Sequence, residues 1–133
     1  KATILEMKKG KVFPHLWEQG KQIKDGYNTL AKEYGIAAYT ECVGLDPRTV
    51  CFFKNKDGSE SLLNKSLFQQ ECLKRGILFS GGHNMCFSHQ TADVNYTLRV
   101  YRTAMEILAD AIKKDDVAKR LEGKPVEAVF RKA

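Results

Sequence analysis

Apolar residues recur at alternating spacings of four and three along two long segments of the chain, which predicts two amphipathic helices. The first runs from Phe13 to Tyr34, and Gly35 follows as a C-cap in the left-handed conformation. The second begins at Thr91, the predicted N-cap, with Asp93 in its first turn. The apolar stripes consist of Leu16, Gly20, Ile23, Tyr27, Leu30 and Tyr34 in the first helix and Val94, Leu98, Tyr101, Met105, Leu108 and Ile112 in the second.

Two runs of β-favouring residues between these helices, Ala37–Val43 and Thr49–Phe53, predict a β-hairpin around a turn at residues 44–48. Ser59 is the expected N-cap of a third helix, which reaches Arg75 before a terminating glycine. The expected buried side of that helix consists of Leu63, Leu67, Phe68, Cys72 and Leu73.

Two further strands, Ile77–Phe79 and Asn84–Ser88, are predicted on either side of the Gly81-Gly82 loop. Ala2–Met7 is interpreted as the tail of an earlier helix, and Val117–Leu121 as a short helix before an extended tail. Three or four strands and three main helices, each with one apolar face, predict an α/β (α+β) two-layer sandwich. The helices should cover one face of a small, mostly antiparallel sheet, and its other face is expected to contact something outside this chain.

Composition and charge narrow the class of protein. A length of 133 residues allows one domain, and 43% hydrophobic with 29% charged residues is typical of globular proteins. No apolar run approaches a membrane span and no secretory signal begins the chain, so a cytoplasmic protein without membrane contact is expected. The chain starts without Met, which fits a processed end or a fragment. The net charge is +6, but the basic residues lie along helix faces rather than in a block, which argues against nucleic-acid binding.

The cysteines and histidines do not predict a metal site. They form no CxxC pair and no zinc-type spacing, so reduced, mostly buried thiols are expected. A nucleophilic Cys86 with His83 or His89 as base is a second interpretation, but no third residue orients the base. The residues are Cys42, Cys51, Cys72, Cys86, His15, His83 and His89.

Four segments in order carry a family resemblance: VFPHLWEQGKQIKDGYNTLAKEYGI, FQQECLKRGILF, SHQTADVNYTL and GKPVEAVFRK. The matching positions are Leu16, Gly20, Leu30, Ala31, Glu33 and Gly35 in the first segment and His89, Asp93, Thr97 and Leu98 in the third. Together they resemble the C-terminal small domain of class III aminotransferases, which depend on pyridoxal phosphate (PLP). The most similar subgroup is the glutamate-1-semialdehyde aminomutase-like branch, although the loop from Ser80 to Met85 is shorter than in true aminomutases.

The resemblance implies the fold of the C-terminal domain of fold-type-I aminotransferases. Residues 1–12 would be the tail of an inter-domain helix and residues 13–133 the small domain, with the cofactor-binding large domain absent. The full enzyme would bind PLP through a Schiff-base lysine outside this chain and would be a homodimer. It would transfer an amino group between an amino acid, or an amino-sugar-type compound, and a carbonyl substrate. The isolated chain is expected to bind no PLP and to be inactive.

The resemblance also implies where the substrate pocket lies. Its candidate edge is Ser80, Gly81, Gly82, His83 and Asn84, because two glycines let the backbone turn sharply and expose N–H groups. The alternative explanation is that the glycine pair only makes a tight connection between strands, since such a pair is a common turn signal. His89, Thr91 and Asp93 are interpreted as a structural motif at the helix start, and no catalytic residue is predicted. The rival interpretation is a free-standing interaction or regulatory module.

Overall fold

Residues 1–127 are described by the structure, a computed structural model, and the end of the predicted extended tail at residues 128–133 lies outside this range. Four α-helices and one short 3₁₀ helix, at the position predicted for a short helix, make up the helical part. Their bounds are α1 Ala2–Lys8, α2 Val12–Glu33, α3 Leu62–Leu73, α4 Thr91–Lys114 and the 3₁₀ helix Val117–Arg120. None of the helices within these residues combines the length and hydrophobicity needed to cross a bilayer.

The sheet has three antiparallel strands in the order β1-β2-β3, with bounds β1 Thr40–Leu45, β2 Arg48–Phe53 and β3 Gly82–Asn84. The predicted hairpin is confirmed. Its turn is shorter than expected, because Leu45 pairs with Arg48 and only Asp46 and Pro47 connect the strands.

Helix α2 packs closely against the hairpin turn. A Cβ atom at Gly20 would overlap the carbonyl oxygen of Asp46, so only glycine fits where the helix crosses the turn. Lys24 forms an ion pair with the Asp46 carboxylate on the same side. The helix ends at Glu33, one residue before the predicted end, and Gly35 has the predicted left-handed conformation. Its φ of +69° lets the Ile36 N–H donate to the Ala31 carbonyl at 2.9 Å.

The predicted cap of α3 is wrong. Ser61, not Ser59, is the N-cap, and its hydroxyl accepts a hydrogen bond from the Asn64 N–H at 3.3 Å. Ser59 instead donates its hydroxyl to Asp57 at 2.6 Å, so it closes the preceding turn. The helix also ends earlier than predicted, at Leu73.

The N-cap of α4 also differs from the predicted residue. Gln90 is the N-cap and Thr91 is the first helical residue. Asp93 lies in the first turn as predicted, and its carboxylate accepts the Gln90 N–H at 2.8 Å in a capping box. A Gln–Asp pair therefore performs the role that the sequence assigned to Thr91.

The two short strands predicted around the glycine pair are both misplaced. Residues 77–79 are irregular, because Phe79 is buried against Phe68, with ring centroids 5.0 Å apart, while Leu78 is 85% exposed. The predicted strand Asn84–Ser88 is shifted: β3 begins at Gly82 and ends at Asn84. The apolar run therefore reflects core packing and not strand pairing.

The three main helices cover one face of the sheet, which confirms the two-layer α+β architecture. An aromatic cluster fills the space between the layers. Its members are Tyr27, Phe53, Phe68, Phe79 and Tyr101. On the opposite face Val50 and Phe52 are each 48% exposed, so the sheet presents apolar side chains there.

Candidate functional site

A cleft of about 340 Å³ lies between β3, the segment before it and the start of α4. Four of the five predicted pocket residues line it together: Ser80, Gly82, His83 and Asn84. The other lining residues are Ile23, Gly76, Ile77, Leu78, Met85, His89, Asp93, Val94, Thr97 and Tyr101.

Two of the predicted residues lie elsewhere. Gly81 lines a smaller cavity of about 110 Å³ between β2 and α3, beside Lys65. Thr91 is not among the residues that line the cleft; its hydroxyl accepts a hydrogen bond from the Gln19 side chain at 3.3 Å, which ties α4 to α2. The two glycines therefore line different cavities: Gly82, the first residue of β3, lines the cleft, and Gly81 lines the smaller cavity.

His83 forms the floor of the cleft. It is only 9% exposed, and both ring nitrogens have partners. Nδ1 lies 2.6 Å from the Thr49 hydroxyl oxygen and Nε2 lies 2.8 Å from that of Tyr101. Because the ring is held from both sides, its orientation is set by β2 and α4. Ser80 and Asn84, by contrast, are exposed.

Two thiols lie directly behind the imidazole. Cys42 and Cys51 are cross-strand partners on β1 and β2, and both side chains are buried. The Sγ atom of Cys42 is 3.8 Å from His83 Nδ1. Hydrogen bonding from the Cys51 thiol, reinforced by that of His83, outweighs burial and lowers the pKa of Cys42. The same shared hydrogen bond, together with burial, raises the pKa of Cys51.

Sequence reasoning missed this cluster. The sequence pattern places Tyr101 in an apolar stripe and Thr49 at the start of a strand, and neither position indicates a contact with His83. The available signal was the position of Cys42 and Cys51, which are equidistant from the Asp46-Pro47 turn and therefore opposed in a two-residue hairpin.

The turn before α4 is held by histidines. His89 Nδ1 accepts the Cys86 backbone N–H at 3.2 Å, and His15 Nε2 of α2 donates to the His89 carbonyl at 2.7 Å. The Cys86 thiol is exposed and lies 3.0 Å from the Ser88 hydroxyl, which lowers the pKa of the thiol. His89 therefore engages the Cys86 backbone and not its sulfur, so it is not placed to act as the base for this thiol.

The chain is similar to solved structures but to no family profile. No family profile matches the chain, and no curated protein matches it. Among solved structures, the chain is similar to the PLP internal aldimine form of the FumI protein from Sphingopyxis sp. MTA144, with a TM-score of 0.63 and 21% sequence identity. The similarity covers 77% of this chain and 24% of the FumI chain, so the chain spans about a quarter of that protein's length. At this identity the similarity establishes the fold, which is that of a portion of a PLP-containing protein.

The cleft by itself does not fit PLP. A PLP enzyme needs a lysine amine for the cofactor aldehyde and donors for its phosphate. None of the residues that line the cleft is a lysine or an arginine. The lining offers hydroxyl, amide, imidazole and carboxylate groups, which are suited to hydrogen bonding with a polar substrate.

Proposed function

We propose that this chain is the C-terminal small domain of a PLP-dependent class III aminotransferase of the glutamate-1-semialdehyde aminomutase-like branch. The supporting observation is the fold similarity to about a quarter of the FumI chain, on a sequence with four ordered segments that resemble the class III small domain. The complete enzyme would transfer an amino group between an amino acid and a carbonyl compound. PLP would supply the electrophile and electron sink, and the lysine that holds it would lie outside this chain.

The role of this domain is to close the substrate pocket. The exposed Ser80 hydroxyl and Asn84 amide stand at the mouth of the cleft, where they can hydrogen-bond a polar substrate group. His83 supports that edge from below, because its contacts with Thr49 and Tyr101 fix β3. The chain therefore orients substrate and excludes water, and it carries out no proton transfer of its own.

The exposed apolar surfaces are the proposed contacts with the rest of the enzyme. Val50 and Phe52 project from the uncovered sheet face, and Leu78 is 85% exposed next to the cleft. Val50 and Phe52 lie together on one face of β2, and large exposed apolar side chains that lie together commonly mark an interface. The large domain, or the second subunit of a homodimer, would bury them.

Comparison of two proteins tests this proposal: the 133-residue chain and the polypeptide of the complete reading frame. The chain alone is expected to bind no stoichiometric PLP and to have no transaminase activity, whereas the complete polypeptide should bind PLP and transaminate.

In the complete enzyme, Asn84→Ala should raise KM for the amino substrate with little change in kcat, because the substitution removes a binding contact and not a chemical step. Asn95→Ala, at an exposed position on α4 outside the cleft lining, is the matched control.

Two results would overturn the proposal. One is stoichiometric PLP fixed by borohydride to a specific lysine of the isolated chain. The other is a reading frame that encodes no further domain, which would favour the free-standing interaction module.

A further inference from the structure

Three side chains with metal-binding atoms converge on the helix-covered face of the sheet, one from each strand. The two Sγ atoms of Cys42 and Cys51 and a ring nitrogen of His83 all lie within 4.8 Å of one another. This convergence is hidden in the sequence, because the ligands come from three strands and not from a short motif. It also does not depend on the function proposed above.

The two thiols approach closely because of the type of strand pair they occupy. The Cys51 N–H donates to the Gly81 carbonyl of the β3 side at 2.8 Å, and the Cys42 N–H donates to the Asn28 side chain at 2.8 Å. Cys42 and Cys51 therefore form a non-hydrogen-bonded antiparallel pair, in which opposed side chains are nearest. Their sulfur atoms face the same buried space.

The imidazole is positioned as a metal ligand would be. Ligation through Nδ1 requires the ring hydrogen on Nε2, and the Tyr101 hydroxyl oxygen is 2.8 Å from Nε2, where it can accept that hydrogen. Metal-binding histidines almost always have such a partner, which fixes the ring. Nδ1 then points at the thiols, 3.8 Å from Cys42 Sγ.

We propose that Cys42, Cys51 and His83 bind one Zn²⁺ ion. Tetrahedral zinc with bonds of about 2.3 Å to sulfur and 2.0 Å to nitrogen places its ligand atoms about 3.5–3.8 Å apart, so shifts of about 1 Å complete the site. Binding releases the two thiol protons to solvent. Two thiolates then balance the charge of the ion, which makes a neutral complex compatible with burial.

The surroundings supply an entry route. His83 and Tyr101 both line the cleft, so an ion can approach along the imidazole. The Thr49 hydroxyl, 2.6 Å from Nδ1, hydrogen-bonds that nitrogen in the metal-free chain and moves aside when the ion binds, which leaves the fourth coordination position to water. A bound ion would link all three strands below the proposed substrate edge.

A disulfide between Cys42 and Cys51 would use the same two sulfur atoms. It would give no role to His83, whose Nδ1 faces them, or to Tyr101, which holds that ring. Three converging ligand atoms therefore favour the metal over the disulfide.

Titration of the reduced, metal-free 133-residue chain with Co²⁺ tests the site directly. The expected result is thiolate-to-cobalt absorption with the visible bands of a four-coordinate ion, saturating at one equivalent and abolished by Zn²⁺. Cys42→Ser and Cys51→Ser should lose this spectrum. Cys72→Ser, a buried thiol outside the cluster, and Cys86→Ser, an exposed one, should keep it.

Two measurements keep the test decisive if a cysteine variant fails to fold. Zinc-edge X-ray absorption of the wild-type chain should show two sulfur neighbours and at least one imidazole nitrogen. Tyr101→Phe should weaken zinc affinity about 10-fold, because the imidazole loses the partner that orients it.

A four-coordinate spectrum that survives in the Cys42→Ser/Cys51→Ser double variant would overturn the proposal. So would a reduced wild-type chain that binds no Co²⁺ and only forms the Cys42–Cys51 disulfide in air.

Discussion

The Tyr101 hydroxyl lies 2.8 Å from His83 Nε2, and this hydrogen bond joins the middle of α4 to the shortest strand of the sheet. Strand β3 has only three residues, so backbone pairing alone attaches it weakly. The buried bond to Tyr101 and the contact of His83 with Thr49 on β2 add two side-chain attachments. The edge of the cleft therefore depends on a side chain that the sequence assigns to an apolar stripe.

Tyr101→Phe should lower the free energy of unfolding of the metal-free chain by about 1–2 kcal/mol, because it leaves a buried ring nitrogen without its partner. Urea unfolding followed by circular dichroism measures this change. The matched control is Tyr96→Phe on the same helix. The Tyr96 hydroxyl donates to the Arg75 carbonyl at 2.7 Å in an exposed position, so its loss should cost about 0.5 kcal/mol or less. Equal effects of the two variants would contradict the role given to the His83 contact.

Gly82→Ala should detach β3 from β2. A Cβ atom at this position would overlap the Thr49 carbonyl oxygen, and backbone atoms cannot yield as a flexible side chain can. We expect a loss of about 1–3 kcal/mol. Amide hydrogen exchange of Cys51 should also accelerate, since that N–H donates to the neighbouring Gly81 carbonyl. Gly123→Ala is the control, because no atom lies within 4 Å of the added Cβ. Unchanged hydrogen exchange at the Cys51 amide in the Gly82→Ala variant would refute the prediction.

Asn28→Ala should expose the outer edge of β1. The Asn28 amide donates to the Cys42 carbonyl and accepts the Cys42 N–H, both at 2.8 Å, so one side chain imitates a neighbouring strand. Its removal should cost about 1–2 kcal/mol and accelerate hydrogen exchange at Cys42. Thr29→Ala, at the next and exposed helix position, should do neither. A free edge also invites pairing with other chains, so increased self-association by light scattering is expected for the Asn28 variant alone.

The long helices could be predicted to within a residue or so at most ends, because their apolar stripes repeat over many turns. The sequence predicts α2 at residues 13–34, and the structure has it at Val12–Glu33. The short elements could not be predicted in this way. Ile77–Phe79 has a strand-like composition, yet Phe79 is held by the aromatic core and Leu78 points outward, so contacts distant in sequence decide its conformation.

The candidate site depends on strand register, which local patterns determine poorly. A five-residue connection at residues 44–48 would pair Val43 with Thr49, whereas the observed two-residue turn pairs Cys42 with Cys51. A slip of one residue moves every side chain to the other face of the sheet. The sequence therefore places Ser80, His83 and Asn84 close together, and in the structure they line one cleft, but it does not place the thiols behind them.

Glu71→Gln should remove an acid-sensitive part of the stability. Burial alone would raise the pKa of Glu71, but hydrogen bonds from Arg75, Gln70 and Lys74 outweigh it and hold the pKa below its usual value. The folded state thus binds protons less readily than the unfolded state, so this contribution is present at neutral pH and is lost as the pH falls through the folded-state pKa. We expect wild type to exceed the variant by about 1–2 kcal/mol at pH 7, since Arg75 and Lys74 are partly exposed, with the difference shrinking below about pH 4. Urea unfolding across this pH range measures the difference in the free energy of unfolding. Glu106→Gln, which changes an exposed carboxylate on α4, is the control. A difference that does not depend on pH would show that Glu71 acts through packing and not through its charge.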